Sequence, residues 1–367
     1  MSISVVDPFN VAADPEMPSL ALALDPVEVQ RQLLSRLPRL AGAHGRVHLR
    51  AIHVTRHKPG RRCVIEYDVE VERPELPLEL VTLIGKVRAR RFGKSGYRLL
   101  DRLWNAGFQS DSQDGISVPE PIGTVSKFRM WLQRKVPGQV ATSLLTAPGG
   151  VGLARRIAEA AHKLHRAGVP AERRHTMADE VGILRQGLPR VAQAEPRWAS
   201  RIEGLLEACE RLGAAIPDPV LRGIHRDFYP DQVIVDGTRL YLVDFDLYCE
   251  GNPGLDIGNY LGHVTEYSLR ALGDPCALAD LEQAMEERFV ELSGEVTRAA
   301  VRAYATLTLV RHVYLSTVFP ERRSFTGRLL ALCEERLGVT GRTYVLRPSP
   351  AHTCGHANRH DSMAQLL

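Results

Sequence analysis

The stretch Gly223–Gln232 reads GIHRDFYPDQ, and the tetrapeptide VDFD follows at Val243–Asp246. The residues between these two stretches form an apolar run, then Asp236-Gly237, then a second apolar run. An Asp-Gly pair between two apolar runs is typical of a tight β-hairpin turn. We therefore predict a hairpin over 233–243 with a polar stretch at each end.

Three polar side chains of this region have a spacing that suits chemistry on charged oxygen atoms. Asp227 precedes the hairpin, Gln232 opens it and Asp244 closes it. Because the two ends of a tight hairpin lie side by side, we expect Gln232 and Asp244 to share a Mg²⁺ ion, which prefers oxygen ligands. Phosphoryl transfer needs such a metal together with a carboxylate that accepts the proton of the attacking hydroxyl. We assign that second role to Asp227.

This segment resembles the aminoglycoside phosphotransferase family of the protein-kinase-like superfamily. The family motif is roughly H-x-D-x-x-x-x-N, followed by a hydrophobic D-F/W-D/E. The resemblance implies Asp227 as the catalytic base, Gln232 in the place of the metal-binding asparagine and Asp244 as the principal Mg²⁺ ligand. His225 is similar to the histidine that braces the catalytic loop. Arg226 either stabilises the Asp227 carboxylate or contacts phosphate.

A second motif lies directly downstream. Gly251–Asn259 reads GNPGLDIGN and is similar to the family segment G-D-P-x-x-D-x-A. In the family, the acidic residue of this segment supports the catalytic loop from the next helix, which implies that role for Asp256. The chain departs from the family at Gln232, whose amide oxygen lies one methylene further out than that of asparagine. Metal binding either survives there with a shifted geometry or is lost.

The resemblance also implies nucleotide-binding residues in the first third of the chain. Lys86 is similar to the strand lysine that binds the α- and β-phosphates of ATP. Gly60 and Arg61 lie where the family has a phosphate-covering turn between two strands. Gln133 and Lys135 lie in a segment that is similar to the hinge, whose backbone hydrogen-bonds adenine.

Each of these residues has a plain structural alternative. Lys86 also fits an exposed lysine on an edge strand, because several arginines follow it. Asp101, on the next predicted helix, is either the acidic partner of Lys86 or an ordinary surface acid. We interpret His162 and His165 as packing or surface residues rather than catalytic ones.

Hydrophobic periodicity gives the secondary structure around these motifs. Apolar residues alternate with acidic ones over 65–72, which predicts a half-buried strand. Further predicted elements of the first third are a strand over 80–87, a helix over 97–106 and a strand over 130–133. After a break at residues 136–138, helical periods predominate. They predict helices over 152–168, 178–194, 198–212, 276–293, 296–317 and 325–337.

The predicted fold class is α+β, a protein-kinase-like fold with a small β-rich N-lobe and a larger helical C-lobe. We divide the chain into a loose tail over 1–25, an N-lobe over 26–137 that begins with a helix over 26–37, a C-lobe over 138–345 and a flexible tail over 346–367. The last tail contains three histidines and Cys354. We interpret it as a disordered terminus rather than a metal site.

Composition excludes several classes of protein. The chain has 367 residues, of which 44% are hydrophobic and 25% are charged, and its net charge is +4. This charge is small and spread along the chain, so we expect no nucleic-acid partner. No stretch approaches the roughly 18 apolar residues that a membrane span needs, and we expect no membrane association and a cytoplasmic location. Six cysteines lie far apart, which favours reduced thiols.

Together these features predict an enzyme that transfers the γ-phosphoryl group of ATP, with Mg²⁺, to a hydroxyl of a small molecule. Only eleven residues separate Asp244 from Asp256, which is short for the segment on which a protein kinase docks a peptide. The alternatives are a catalytically inert nucleotide-binding module that acts through a partner, and a protein kinase. The identity of the acceptor, the choice between ATP and GTP, and the oligomeric state stay open at this point.

Overall fold

The computed structural model describes residues 3–36, 38–42, 44–74, 76–89, 95–217 and 219–339, so the predicted tail over 346–367 lies outside the described residues. The chain forms two compact units. The first consists of Met1–Gln139, Ala167–Pro170 and Val233–Leu247, and the second of Val140–Arg166, Ala171–Gln232 and Tyr248–Leu367. None of the helices in the described ranges has both the length and the apolar character needed to cross a membrane.

Strands and helices follow one another along the described chain with these bounds. The strands are β1 (Ser4–Val6), β2 (Arg46–Lys58), β3 (Arg62–Glu72), β4 (Glu79–Arg88), β5 (Ile116–Ser117), β6 (Pro121–Val125), β7 (Met130–Arg134), β8 (Gln139–Val140), β9 (Arg222–Ile224), β10 (Val233–Asp236), β11 (Arg239–Leu242) and β12 (Cys249–Gly251). The helices are α1 (Ser19–Leu24), α2 (Pro26–Arg36), α3 (Pro38–Ala41), α4 (Ser95–Asn105), α5 (Gly150–Arg166), α6 (Met177–Ala194), α7 (Ala199–Ala214), α8 (Gly254–Tyr267), α9 (Ala279–Ser293), α10 (Thr297–Val318) and α11 (Thr326–Leu337).

The first unit is built on a six-stranded sheet with the strand order β1-β2-β3-β4-β7-β6. The period-2 pattern of the sequence correctly predicts strand β3 of this sheet. Its apolar residues Ile65, Tyr67, Val69 and Val71 are all buried. Burying each such side chain stabilises the unit by about 1.5–3 kcal/mol. The predicted strands over 80–87 and 130–133 and the helix over 97–106 are confirmed as β4, β7 and α4.

The N-terminal segment corrects the prediction of a loose tail over 1–25. Its described part is folded, because β1 pairs in parallel with β2 and the Leu20 side chain is fully buried in the core of the sheet unit. The Oη of Tyr67 donates a hydrogen bond of 3.0 Å to the carbonyl oxygen of Ala23. Short elements separated by turns bury apolar residues at irregular spacings. A segment of this kind shows no sustained period in the sequence.

The predicted hairpin is confirmed as β10 and β11, in which Val233 pairs with Leu242. The Asp-Gly turn has the expected conformation, since Gly237 has a φ of 57°. Contrary to the prediction, this hairpin belongs to the first unit and not to the helical one. The reason is that β11 also pairs with β5, where Leu240 lies opposite Ile116.

The second unit is helical, and all six helices predicted beyond residue 150 are present with ends within about three residues of those predicted. Two of its helices, α8 and α10, pack unusually closely. A Cβ atom on Gly258 would lie 2.6 Å from the carbonyl oxygen of Val301, and one on Gly262 would lie 2.7 Å from the Cβ of Thr308. The glycines on α8 therefore allow direct contact with the α10 backbone, and this contact fixes the helix that carries Asp256.

Candidate active site

The segment that follows β9 is held in a tight, partly strained turn within the second unit. His225 and Phe228 are fully buried, whereas Arg226 and Asp227 are half-buried. Arg226 has a φ of 69°, in the left-handed region that costs a non-glycine residue free energy. Such a conformation persists only when the surroundings hold it in place.

Asp256 on α8 supplies that support. Its Oδ2 accepts a 2.8 Å hydrogen bond from the backbone N–H of His225, and its Oδ1 accepts a 2.7 Å bond from the N–H of Arg226. The Asp256 side chain is fully buried. One carboxylate thus satisfies the two consecutive backbone donors that lead to Asp227.

His165 is a contributor to this arrangement that the sequence interpretation missed. Its Nε2 lies 2.8 Å from Asp256 Oδ2, and its ring packs edge-on against Phe289. The available signal was the position of His165 beside Leu164 on the apolar face of α5. A histidine predicted on a buried face needs a polar partner, but the sequence does not identify that partner.

The two residues predicted to bind metal are placed by the hairpin, one before β10 and one after β11. Gln232 is 4% exposed, and its side-chain amide has no hydrogen-bond partner among the residues that the structure describes. Asp244 has a side chain 22% exposed and a φ of 62°. A carboxylate and an unpartnered amide oxygen are each donors of the kind that Mg²⁺ takes.

Lys86 is paired with Asp244 rather than with Asp101. The Lys86 Nζ lies 3.3 Å from Asp244 Oδ1, and it also lies 5.2 Å from the centroid of the Trp131 ring. The lysine side chain is 18% exposed, which excludes the alternative of a fully solvated edge-strand lysine. The first unit thus brings a cation, a carboxylate and an indole together.

These groups line a pocket of about 280 Å³ in the first unit, a volume that includes space open to solvent. The lining residues are Lys86, Gly96, Leu100, Pro119, Trp131, Gln133, Asp244, Phe245 and Asp246. Three of them were predicted from the sequence as ligand-binding residues. Apolar walls with a few charged groups are typical of small-molecule sites.

Asp246 is a lining residue to which the sequence analysis gave no role. Its carboxylate forms salt bridges with Arg88 and with Arg62, whose Nη1 lies 3.9 Å away. The second acid of the VDFD tetrapeptide therefore ties the hairpin to β3 and β4.

Lys135, in the segment predicted as the hinge, forms two polar contacts within the protein. Its Nζ lies 2.8 Å from a carboxylate oxygen of Glu66, and its backbone N–H donates a 2.8 Å hydrogen bond to the carbonyl of Thr82. The ammonium group and the amide of Lys135 thus both have protein partners. Gln133, in contrast, is buried and lines the pocket.

The turn at Gly60 and Arg61 forms backbone hydrogen bonds within the protein. The N–H of Gly60 donates a 2.9 Å bond to Asp14 Oδ2, and the N–H of Arg61 donates a 3.0 Å bond to the carbonyl of Lys58. The bond from Gly60, together with the contact with His57, lowers the pKa of Asp14 despite its burial. Both backbone donors of the turn are therefore used within the protein, and the exposed side chain of Arg61 is what the turn offers to a ligand.

A comparison with models of known protein families finds a match. A model of the phosphotransferase enzyme family (APH) matches residues 94–292, which is more than half of the 367 residues. A comparison with curated proteins finds no match.

Solved structures show the same fold at low sequence identity. The aminoglycoside phosphotransferase APH(4)-Ia is 15% identical, with a TM-score of 0.52, over 80% of this chain and 95% of its own. A thermostable mutant of that enzyme in ternary complex with ADP and hygromycin B is 15% identical, with a TM-score of 0.51, over 80% of this chain and 96% of its own. A choline/ethanolamine kinase family protein from Mesorhizobium loti is 16% identical, with a TM-score of 0.50, over 85% and 94%. The fold is protein-kinase-like, the predicted resemblance is confirmed, and the chain belongs to the phosphotransferase enzyme family.

Proposed function

We propose that this protein transfers the γ-phosphoryl group of ATP, with Mg²⁺, to a hydroxyl group of a small molecule. The observation that carries the proposal is the pair of hydrogen bonds that the Asp256 carboxylate accepts from the backbone N–H groups of His225 and Arg226. These hydrogen bonds stabilise the left-handed conformation of Arg226, immediately before Asp227. The Asp227 carboxylate is therefore carried by a loop whose backbone is fixed. Catalysis of phosphoryl transfer depends on positioning of the reacting groups together with electrostatic stabilisation, and a fixed carboxylate contributes to the positioning.

In the proposed reaction Asp227 orients the acceptor hydroxyl and takes its proton. The acceptor oxygen forms a new bond to the γ-phosphorus, the bond from that phosphorus to the β,γ-bridging oxygen breaks, and ADP leaves with the bonding electron pair. His225 acts by packing, since its ring contacts Phe228. Arg226 is a candidate contact for transferred phosphate, because its guanidinium has no hydrogen bond or salt bridge to other residues within the described ranges.

The nucleotide is assigned to the pocket of the first unit. Lys86 would contact the α- and β-phosphates, and Gln133 at the end of β7 would lie near adenine. Since the turn donors are already used, Arg61 would reach a phosphate through its side chain. Lys135 would contribute only as part of the backbone beside Gln133, because its charge is neutralised by Glu66.

Asp244 and Gln232 would hold Mg²⁺. The ion would neutralise developing charge on the triphosphate. The chain itself contributes the geometry of these donors. Asp244 tolerates its left-handed backbone because aspartate is among the residues enriched there, and Gln232 keeps its amide oxygen without a competing protein donor among the described residues.

A small-molecule acceptor is favoured by the short path from Asp244 to Asp256. Within it, residues 245–247 form one helical turn, β12 follows, and α8 begins at Gly254. Most of this path lies in these elements, so it offers no extended segment for docking a peptide. Hygromycin B in a complex of one solved relative, and the assignment of another to a choline/ethanolamine kinase family, agree with a small acceptor.

A direct assay tests the proposal. Purified protein is incubated with Mg-ATP and a panel of sugars, amino alcohols and aminoglycosides, and phosphate-ester formation is followed by ³¹P NMR. We expect acceptor-dependent conversion of ATP to ADP with one phosphate ester formed per ADP. Tight ATP binding without turnover on any acceptor would favour the inert nucleotide-binding module instead.

Asp244→Asn is predicted to weaken Mg-ATP binding about tenfold or more, equivalent to about 1.4 kcal/mol. Asparagine tolerates the left-handed φ of this position, so the backbone is kept while the ligand charge is lost. Titration calorimetry with ATP, with and without Mg²⁺, should show that the loss depends on the metal. Asp236→Asn, at an exposed position of the same hairpin, is the control, and equal Mg-ATP affinity in both variants would remove Asp244 from the metal site.

At Gln232, the prediction separates a metal ligand from a packing residue. Gln232→Asn keeps an amide oxygen and is expected to retain turnover, whereas Gln232→Leu removes the ligand and is expected to abolish it. The measurement is the Mg²⁺ concentration for half-maximal turnover, together with the melting temperature. If leucine lowers only the melting temperature and leaves the metal requirement intact, the ligand role is wrong.

A further inference from the structure

A series of hydrogen-bonded, buried polar side chains in the second unit ends at the loop that carries Asp227. His175 Nε2 lies 2.7 Å from Glu180 Oε1, and Arg311 Nη1 lies 3.4 Å from Glu180 Oε2. Arg311 Nη2 donates a 2.5 Å bond to Asn259 Oδ1. The Nδ2 of Asn259 then donates a 3.0 Å bond to the carbonyl oxygen of Phe228, the residue directly after Asp227.

All members of this series of side chains are buried, and none is exposed by more than 8%. Burial raises the pKa of Glu180, but the hydrogen bond from His175 and the charge of Arg311 outweigh it and lower the pKa overall. A buried ion pair adds little net stability, because its desolvation cost offsets its attraction. The hydrogen bonds of this ion pair do fix the geometry of the groups that it contacts.

The orientation of the Asn259 amide follows from the donors around it. Guanidinium nitrogens only donate hydrogen bonds, so the oxygen of the amide must face Arg311. The amide nitrogen is then directed at the Phe228 carbonyl. Arg311, held in turn by Glu180, thus determines which atom of Asn259 meets the loop.

We propose that Glu180, Arg311 and Asn259 form a positioning relay that sets the placement of Asp227 for phosphoryl transfer. Asp256 holds the loop just before Asp227 and Asn259 holds it just after. The two residues are three positions apart on α8, so they lie on the same face of that helix. The catalytic carboxylate is therefore fixed from both sides by one helix, and Arg311 on α10 fixes the second contact.

The inference rests on the proposed function, and one substitution isolates it. Asn259→Asp is nearly isosteric and still accepts hydrogen bonds from Arg311, but it cannot donate to the Phe228 carbonyl. We expect kcat to fall about 10- to 100-fold, since small displacements of a catalytic group are costly, while KM for ATP stays unchanged. Both constants are measured well below the melting temperature of the variant.

The matched control is Thr308→Val. Thr308 Oγ1 donates a 3.2 Å bond to the same Asn259 oxygen but does not extend the relay to the loop. We expect this variant to lose some thermal stability and to keep the wild-type kcat. An equal loss of kcat in both variants would show a general packing effect and would overturn the relay.

Hydrogen exchange distinguishes failure of the relay from failure of the proposed function. In Asn259→Asp, the amides of residues 225–232 should exchange faster than in the wild type, and in Thr308→Val they should not. This measurement does not depend on turnover. If Asn259→Asp shows the hydrogen exchange and the kcat of the wild type, the relay is refuted. If exchange is faster in Asn259→Asp but the wild-type protein transfers no phosphate to any acceptor, the proposed function is refuted, and the buried side chains only hold the conformation of the loop.

Discussion

Asp227→Asn is expected to lower kcat by about 10²–10⁴-fold, the usual contribution of a positioned general base. The substitution keeps the shape of the side chain and removes the group that accepts the hydroxyl proton. The contacts of Asp256 are with the backbone of His225 and Arg226, so the loop should keep its conformation. Affinity for Mg-ATP should therefore stay nearly unchanged, which separates a catalytic role from a binding role.

The control for this substitution is Asp231→Asn in the same segment. Asp231 is half-buried and accepts a hydrogen bond from Thr142, which asparagine can still accept through its amide oxygen. Steady-state kinetics and calorimetry on both variants give the comparison. Turnover of Asp227→Asn close to the wild-type rate would show that another group accepts the proton.

Local pattern was sufficient to predict two of the strand elements of the first unit. The hairpin over 233–243 followed from an Asp-Gly pair between apolar runs, and the strand over 65–72 followed from strict alternation. Both signals arise from neighbours along the chain. The family resemblance was carried by residues 223–259 for the same reason, since its motifs lie within a single short stretch.

Contacts between residues distant in sequence were not predictable in the same way. Lys86 and Asp244 are 158 residues apart, and no periodicity states which carboxylate meets the lysine. The pairing of Asp14 with Gly60 likewise needed the fold of an N-terminal segment whose apolar residues are irregularly spaced.

Buried polar residues on apolar helix faces were the other weak point. His165, Glu180 and Asn259 each lie on a helix, and the sequence of one helix does not identify the partner of a buried polar residue. Their positions on α5, α6 and α8 explain the difficulty, because each hydrogen bond joins two different elements. The rule that a buried polar group requires a hydrogen-bond partner predicts that each of these residues has one, but it does not say which residue that partner is.

Asp256→Ala should produce the largest combined loss of stability and activity. It leaves the N–H groups of His225 and Arg226 without their acceptor in a buried site. Each unsatisfied buried donor costs about 1–3 kcal/mol. His165 also loses its partner. The free energy of unfolding should fall by about 3–5 kcal/mol, as expected when one member of a buried polar pair is removed, and kcat should fall with it as the Arg226 turn relaxes.

His165→Ala provides the matched comparison for that loss. It removes one contact of Asp256 but leaves both backbone hydrogen bonds, so its effects on unfolding free energy and on kcat should be distinctly smaller. In the double variant, the loss should be less than the sum of the single losses, because residues in contact are not additive. Denaturant unfolding and kinetics on the three variants measure this coupling. If Asp256→Ala costs no more than His165→Ala, the two backbone N–H groups do not depend on the carboxylate, and the left-handed turn before Asp227 must be held by other contacts of the loop.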